Sequence, residues 1–296
     1  MTATTGPAHG RAPQVLRMTA FADDPAGGNP AGVVLDASGL DDRTMLAIAA
    51  DLGYSETAFV TPSQEPSDQC DGRVQARLRF FSPVAEVAFC GHATIATAVA
   101  LATRDEPGTI HFITPAGPVR VISTREDDRV TATLSSPPGR SSAASAQLVD
   151  DALAALGWTR DDLDPTLPPH VAHAGNDHLV LNVRTRTRLA DLRYDVSTLR
   201  QIMQANGLTT AHLSWRANST EFHARDPFPI GGVYEDPATG AAAAAFGAYL
   251  NTIHGPGDRA FVIHQGEDMG RPSLLRVTTQ RDTPAVDVTG TAVALP

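Results

Sequence analysis

The sequence predicts an α+β protein of two pseudo-symmetric halves, each with a curved, barrel-like, mostly antiparallel sheet around a central helix. Three observations support this prediction. The chain has 296 residues, 42% of them hydrophobic and 19% charged, which is enough for one large or two medium cores. Short strand-like segments alternate with a few helical ones. Similar segments also recur in one order at a spacing of about 150 residues.

The repeated segments indicate an internal duplication. GGNPAGVVLDA (27–37) resembles AGNDHLVLNV (174–183), and CGHATIATAVAL (90–101) resembles TGAAAAAFGAYL (239–250). A looser third pair lies between them. Because the pairs keep one order and nearly one spacing, duplication is favoured over two unrelated α/β domains of similar composition.

Local patterns predict the elements of the first half. Short β-branched runs predict strands, and an acidic start followed by a glycine stop predicts a helix over 41–53. Small apolar residues predict a buried helix beginning at Cys90. The predicted strands of this half are 15–21, 31–37, 56–60 and 75–81, with a hairpin of 109–124 and 129–136.

The second half repeats this order, with helices predicted over 148–157, 196–207 and 237–250. The Pro/Ser/Gly-rich stretch 135–147 is interpreted as the linker between the halves. The predicted organisation is a disordered tail (1–13), an N-terminal half (14–140) and a C-terminal half (148–296), with terminal strands that can cross between the halves.

The composition excludes several function classes. All 23 basic residues are arginine, so chemistry that needs a lysine, such as a pyridoxal phosphate Schiff base or a P-loop, is excluded. The net charge of −10 argues against nucleic acid as the partner. With no long apolar span, no signal peptide and only 2 cysteines, we expect a cytoplasmic protein without membrane contact.

Both predicted central helices begin with a glycine flanked by polar groups. Cys90-Gly91-His92 starts the first, and Asp236-Pro237-Ala238-Thr239-Gly240 starts the second. A helix N-terminus has free N–H groups and a partial positive charge, so it binds carboxylates and phosphates. Under a pseudo-two-fold axis the two starts would face each other across a cleft. Alternatively, Asp236 caps its helix and His92 is a structural histidine.

Five motifs, in order along nearly the whole chain, resemble those of the PhzF family, the phenazine-biosynthesis isomerases and their relatives. The segment EVAFCGHAT is similar to that family's E-V-x-x-C-G-H-A-T signature, and YEDPATGAA is similar to its E-D-P-x-T-G-S-A motif. The other three matching segments are GGNPAGVVLD, YSETAFV and QGEDMGRPS. On these motifs the chain is identified as a member of the family.

The resemblance implies the diaminopimelate epimerase-like fold and a homodimer of a cofactor-free isomerase that acts on a small carboxylated molecule. It implies that Glu56, in the S-E-T motif, moves a proton between carbons of the substrate. Residues matching the family's substrate-binding positions are His92, Asp236, Gly91, Gly240 and Ala241. A carboxyl group suits this role because it can both take up and return a proton.

Alternatives remain at several of these positions. Racemases and epimerases of similar fold use two opposed thiols, but here Cys90 is matched by Thr239, which disfavours that reaction. Ala241 replaces the family's usual serine, so a binding protein without turnover is a second alternative. Arg271 is a candidate either for substrate binding or for turn stabilisation. The histidines of 170–178 are not expected to share a metal, since His170 and His173 fall on opposite strand faces.

Overall fold

A computed structural model of the chain describes residues 13–62 and 74–296. The predicted tail up to residue 12 lies outside these ranges, and so does Cys70. Within the described ranges, no helix combines the length and the apolar character needed to span a membrane.

The first half follows the predicted order of elements. The helix α1 begins after Asp41, whose side chain accepts a hydrogen bond from the Thr44 N–H, and ends at Gly53 with φ +68°. In chain order the elements are β1 (Leu16–Ala20), β2 (Asn29–Val34), α1 (Asp42–Leu52), β3 (Glu56–Pro62), β4 (Val74–Phe81), β5 (Glu86–Val87), α2 (Gly91–Arg104), β6 (Thr109–Thr114), β7 (Gly117–Glu126) and β8 (Arg129–Ser135).

The second half repeats the pattern with two short additional helices before its central one. The predicted central helix, 237–250, starts at Gly240 and continues to His254. The elements are β9 (Arg140–Ala143), α3 (Ala146–Leu156), β10 (His170–His173), β11 (Asp177–Val183), α4 (Arg186–Ala190), α5 (Val196–Ala205), β12 (Thr210–Asn218), β13 (Glu221–Pro227), β14 (Glu235–Asp236), α6 (Gly240–His254), β15 (Arg259–Gln265), β16 (Ser273–Gln280) and β17 (Thr283–Ala294), with 3-10 turns at Arg160–Asp162, Pro229–Gly231 and Glu267–Met269.

The sheet of the first half closes into an eight-stranded barrel. Its pairing order is β1, β2, β3, β4, β6, β7, β8 and β17, and β17 pairs back to β1. Pairs are antiparallel except β2–β3 and β4–β6, where α1 and α2 form the crossovers. The residues of α2 from His92 to Ala102 are all buried, so this helix fills the interior. The predicted α+β architecture is confirmed.

The second sheet has the same topology. It runs β10, β11, β12, β13, β15, β16, with parallel pairs at β11–β12 and β13–β15, and continues into β17. The start of β17 pairs with β16 and its end pairs with β1 of the other barrel. The strand β9, which follows β8 directly, crosses the opposite way and pairs with β10. The halves therefore exchange terminal strands.

The predicted linker, 135–147, differs from the structure. Ser135 is the last residue of β8, Arg140–Ala143 form β9, and α3 already begins at Ala146. The sequence RSSA carries no alternating apolar pattern. It forms a strand because β10 offers an unpaired edge with which it aligns from His170 to His173.

One close packing point joins β17 to the start of α6. Gly290, on β17, faces the ring of Phe21, and a Cβ added at Gly290 would lie 2.3 Å from the Phe21 Cδ1 atom. The same ring lies 3.5 Å from a Cβ added at Gly240. Phe21 is 1% exposed, so its ring has no space into which it can move.

Gly290→Ala is therefore expected to lower the free energy of unfolding by about 1–3 kcal/mol, because it overpacks a rigid interior. Urea unfolding of the variant and the wild type measures the difference. Gly108→Ala is the matched control, since a Cβ at Gly108 meets no atom within 4 Å. Equal destabilisation by the two substitutions would contradict the close packing of Phe21 against Gly290.

Candidate active site

The N-termini of the two central helices meet at one cleft. A Cβ added at Gly91 would lie 3.7 Å from the Gly240 Cα and 3.8 Å from the Ala241 backbone nitrogen, so the two helix starts are in van der Waals contact. Neither first turn is capped by a side-chain oxygen, whereas the other four α-helices in the described part of the chain have such caps. The Ala93 N–H of α2 bonds to the Cys90 sulfur, and the other N–H groups of the two first turns can bind an anion.

The structure brings all six predicted site residues to this cleft. Its wall contains Glu56, Gly91, His92, Asp236, Gly240 and Ala241. The other described residues that line it are Phe89, Cys90, Asn176, His178, Thr209, Thr210, Phe228, Ala238 and Thr239. None of these is an arginine, so positive potential in the cleft comes from the helix N-termini rather than from a cationic side chain.

Glu56 is the first residue of β3, and its side chain is 15% exposed. Its Oε2 atom lies 3.6 Å from the His92 Nε2 atom. The Cys90 thiol donates to the same oxygen at a sulfur–oxygen distance of 3.6 Å. The strands β2 and β3 pair in parallel, with Glu56 beside Ala31, and the helix α1 connects them. Glu56 thus borders both the cleft and the buried start of α2.

His92 is a buried, neutral imidazole. It is 6% exposed, and this burial lowers its pKa below the usual 6.5, although the nearby Glu56 carboxylate opposes the shift. The Asn29 side-chain amide lies 3.2 Å from the Nδ1 atom, and the Ser55 hydroxyl lies 3.4 Å from Nε2. A neutral imidazole ring can form a hydrogen bond with the Glu56 carboxyl group without taking up the proton that Glu56 carries.

Asp236 lies on the opposite side of the cleft and is 7% exposed. Its Oδ1 atom accepts a hydrogen bond from the Asn29 amide at 2.8 Å, and its Oδ2 atom accepts one from the Thr239 hydroxyl at 2.6 Å. Burial raises its pKa from 3.8 to about 7, and the Glu56 charge adds to the rise against the two hydrogen bonds. Asp236 therefore does not cap α6, and the capping alternative is wrong.

Two residues outside the predicted set organise these groups. The Asn29 amide also donates to the Ala238 carbonyl oxygen at 3.0 Å, so one amide joins both helix starts. The Gln265 amide donates to the Thr239 hydroxyl and to the Asp236 carbonyl oxygen, at 3.1 and 2.8 Å. Asn29 occurs in the duplicated segment and Gln265 in the QGEDMGRPS motif, but neither was predicted as a site residue.

Cys90 and Thr239 occupy equivalent places before the two helices, as predicted. Burial raises the pKa of the Cys90 thiol well above 9, with a smaller contribution from Glu56. The Thr239 hydroxyl is already bonded to Asp236 and Gln265. A pair of opposed thiolates is therefore not formed by this chain, which lacks the second sulfur at Thr239.

Arg271 and the histidines of 170–178 form hydrogen bonds with neighbouring protein groups. The Arg271 guanidinium donates to the Gly28 carbonyl oxygen at 2.8 Å and to the Thr19 hydroxyl at 3.2 Å, which supports the turn-stabilising alternative. His173 lies 2.7 Å from an Asp177 carboxylate oxygen. His178 alone among the three histidines of 170–178 lines the cleft, with its Nδ1 atom 2.7 Å from the Thr210 hydroxyl.

Comparisons with known proteins agree with this geometry. The family described as "Phenazine biosynthesis-like protein" matches residues 18–296. The chain is 34% identical to "Uncharacterized isomerase YddE" of Escherichia coli K12 over 96% of both chains. It is 30% identical to trans-2,3-dihydro-3-hydroxyanthranilate isomerase of Pseudomonas aeruginosa, over 93% of this chain and 94% of that one.

The crystal structure of a PhzF-family phenazine biosynthesis protein from Bacillus anthracis superposes with a TM-score of 0.82 at 26% identity, covering 95% of this chain and 96% of that one. A probable proline racemase from Agrobacterium radiobacter K84 shares the fold at a TM-score of 0.63 and 13% identity, over 95% of this chain and 90% of that one. The predicted epimerase-like fold is thus confirmed. The chain belongs to the phenazine biosynthesis-like, or PhzF, family.

Proposed function

We propose that the protein is an isomerase that moves a proton between two carbons of a small carboxylic acid, without a cofactor, in the cleft between its halves. Glu56 takes the proton from one carbon and returns it to the other. The main support is the convergence of Glu56 with two uncapped helix N-termini on one cleft. Relatives named isomerases match over nearly the whole chain.

The helix N–H groups and the Glu56 side chain have separate roles in this proposal. The first-turn N–H groups of α2 and α6 hold the substrate carboxylate, because they carry partial positive charge and have no side-chain oxygen as partner. Glu56 is partly exposed at the cleft, so it can reach a substrate carbon. His92 lies beside it and orients its carboxylate through a ring nitrogen. This arrangement supplies one proton carrier, as a shift within one molecule requires.

Asp236 fits this scheme only when it is protonated. A charged Asp236 beside the helix starts would repel a substrate carboxylate, whereas its acid form can donate a hydrogen bond. The raised pKa of about 7 keeps much of Asp236 protonated at neutral pH. Substrate affinity should therefore decrease as the pH rises above 7.

Two other functions remain as alternatives. A racemase that uses two thiols is disfavoured because Thr239 occupies the second position and is held by Asp236 and Gln265. A binding protein without turnover is suggested by Ala241, which places a methyl group where the family's motif usually has a hydroxyl. An exchange experiment separates this second alternative from the isomerase.

The test incubates the protein in deuterated water with trans-2,3-dihydro-3-hydroxyanthranilate and with a panel of small cyclic and amino-bearing carboxylic acids. Mass spectrometry and NMR measure deuterium at carbon, and calorimetry measures binding. Carbon-bound deuterium with at least one of these acids supports the isomerase. Binding without any exchange would support the non-catalytic alternative and contradict the proposal.

Substitution of Ala241 tests the substrate class. We expect Ala241→Ser to raise kcat/KM for the dihydro-hydroxyanthranilate by about 10-fold, since a hydrogen bond to a charged group contributes about 1.5–3 kcal/mol. Ala241→Cys is the matched control because it has nearly the same size and only a weak donor. Equal kcat/KM for Ala241→Ser and Ala241→Cys would contradict a role for this position in substrate binding.

A further inference from the structure

Three different metal-ligand atoms meet at the start of α2. They are the Cys90 Sγ atom, the His92 Nε2 atom and the Glu56 Oε2 atom. Sulfur and nitrogen lie 3.8 Å apart, sulfur and oxygen 3.6 Å, and nitrogen and oxygen 3.6 Å. We propose that these three side chains form a binding site for a zinc-type divalent cation, and that this cation blocks the active site.

The size of the triangle matches the coordination sphere of zinc. Zinc bonds are about 2.3 Å to sulfur and about 2.0–2.2 Å to nitrogen and oxygen, so two ligand atoms of a tetrahedral site lie about 3.4–3.6 Å apart. The three observed separations exceed these values by at most a few tenths of an ångström. The Sγ atom also lies 3.3 Å from the His92 Nδ1 atom, so both ring nitrogens are close to the sulfur.

The ligand types favour zinc or cobalt over magnesium or calcium. Thiolate and imidazole bind borderline and soft cations, whereas magnesium and calcium prefer oxygen ligands. The cleft supplies the open fourth position, which in zinc sites holds water or a bound anion. A zinc-type cation is therefore the chemical class that this set of side chains selects.

Charge balance also favours the cation. Cys90 loses its thiol proton to solvent when the sulfur–metal bond forms, and Glu56 binds as a carboxylate. One divalent cation then balances two anionic ligands, which avoids a net charge in a largely buried place. The cleft contains no lysine or arginine among its described residues, so no cationic side chain opposes a bound cation there.

The consequence for the reaction rests on the proposed function. A cation bound to the Glu56 carboxylate occupies the electron pair that would accept the substrate proton. Bound zinc should therefore inhibit proton exchange by at least 10-fold, and a chelator should reverse the inhibition. The cation takes no part in the isomerisation.

Binding is tested with cobalt, whose bond to a thiolate gives a strong near-ultraviolet charge-transfer absorption. The full chain is treated with a chelator, kept reduced with a phosphine and titrated with Co²⁺. We expect a thiolate absorption that saturates at one cobalt per chain. Cys70→Ser is the matched control, because it removes the only other cysteine, and it should keep this absorption, whereas Cys90→Ser should lose it.

Glu56→Gln retains the thiol and should weaken cobalt binding by at least 10-fold, which tests the site even if Cys90→Ser fails to fold. No thiolate absorption in the wild type, or its loss in Cys70→Ser but not in Cys90→Ser, would overturn the site. The titration needs no substrate. Failure of the isomerase proposal would instead appear as absent exchange in metal-free protein.

Discussion

Glu56→Gln is expected to reduce proton–deuterium exchange at the substrate carbon by about 10²–10⁴-fold, the range over which general acid–base groups contribute. Glutamine has the same shape as glutamate and can still accept a hydrogen bond from the Cys90 thiol. It cannot carry a proton between carbons. The change therefore removes the chemistry and keeps the packing at the start of β3.

The measurement compares single-turnover exchange rates and thermal unfolding of the variant and the wild type. Glu106→Gln is the matched control, because Glu106 is exposed and lies away from the cleft-lining residues. It should keep the wild-type rate. Exchange by Glu56→Gln above one tenth of the wild-type rate would exclude Glu56 as the proton carrier.

Asp236→Asn is expected to stabilise the fold at alkaline pH. Asp236 binds its proton up to pH about 7 in the folded state but only up to 3.8 when unfolded. Between these values the folded state holds more protons than the unfolded one, so stability falls as the pH rises. The full penalty above pH 7 is at most about 4 kcal/mol.

Asparagine has no charge to bury, and the Thr239 hydroxyl can accept from its amide. We therefore expect Asp236→Asn to be about 1–3 kcal/mol more stable than the wild type at pH 8, after allowance for a weaker hydrogen bond. The gain should be nearly absent at pH 4. Urea unfolding at both pH values measures it, with the exposed Asp161→Asn as control. An equal effect at both pH values would contradict a buried, titrating Asp236.

The sequence motifs predicted those site residues that lie in the first turn of a central helix. Gly91 and His92 lie in the first turn of α2, so the position of that helix fixes theirs. The same holds for Gly240 and Ala241 in α6. Their meeting follows from the duplication, because equivalent helix ends come together near a pseudo-two-fold axis.

The remaining part of the site depends on contacts between distant strands. Asn29 reaches Asp236 over 207 positions of the chain, and Gln265 reaches Thr239 from β15. No period or spacing in the sequence specifies which polar side chains meet across a barrel. The strand β9 was missed for a related reason, since its pairing with β10 is set by the partner edge rather than by its own pattern.

The exchange of terminal strands has a consequence for how this molecule originated. A half-length ancestor with the same elements would have carried its last strand beyond its own barrel, as the pair β8 and β9 does here. Two such copies could each close their barrel only by exchanging their last strands, as in domain-swapped dimers. Fusion of two such copies into one chain would make this exchange intramolecular. The strand registers place Thr210 in the second half where Glu56 stands in the first, so the two halves differ at the residue on which the proposed reaction depends.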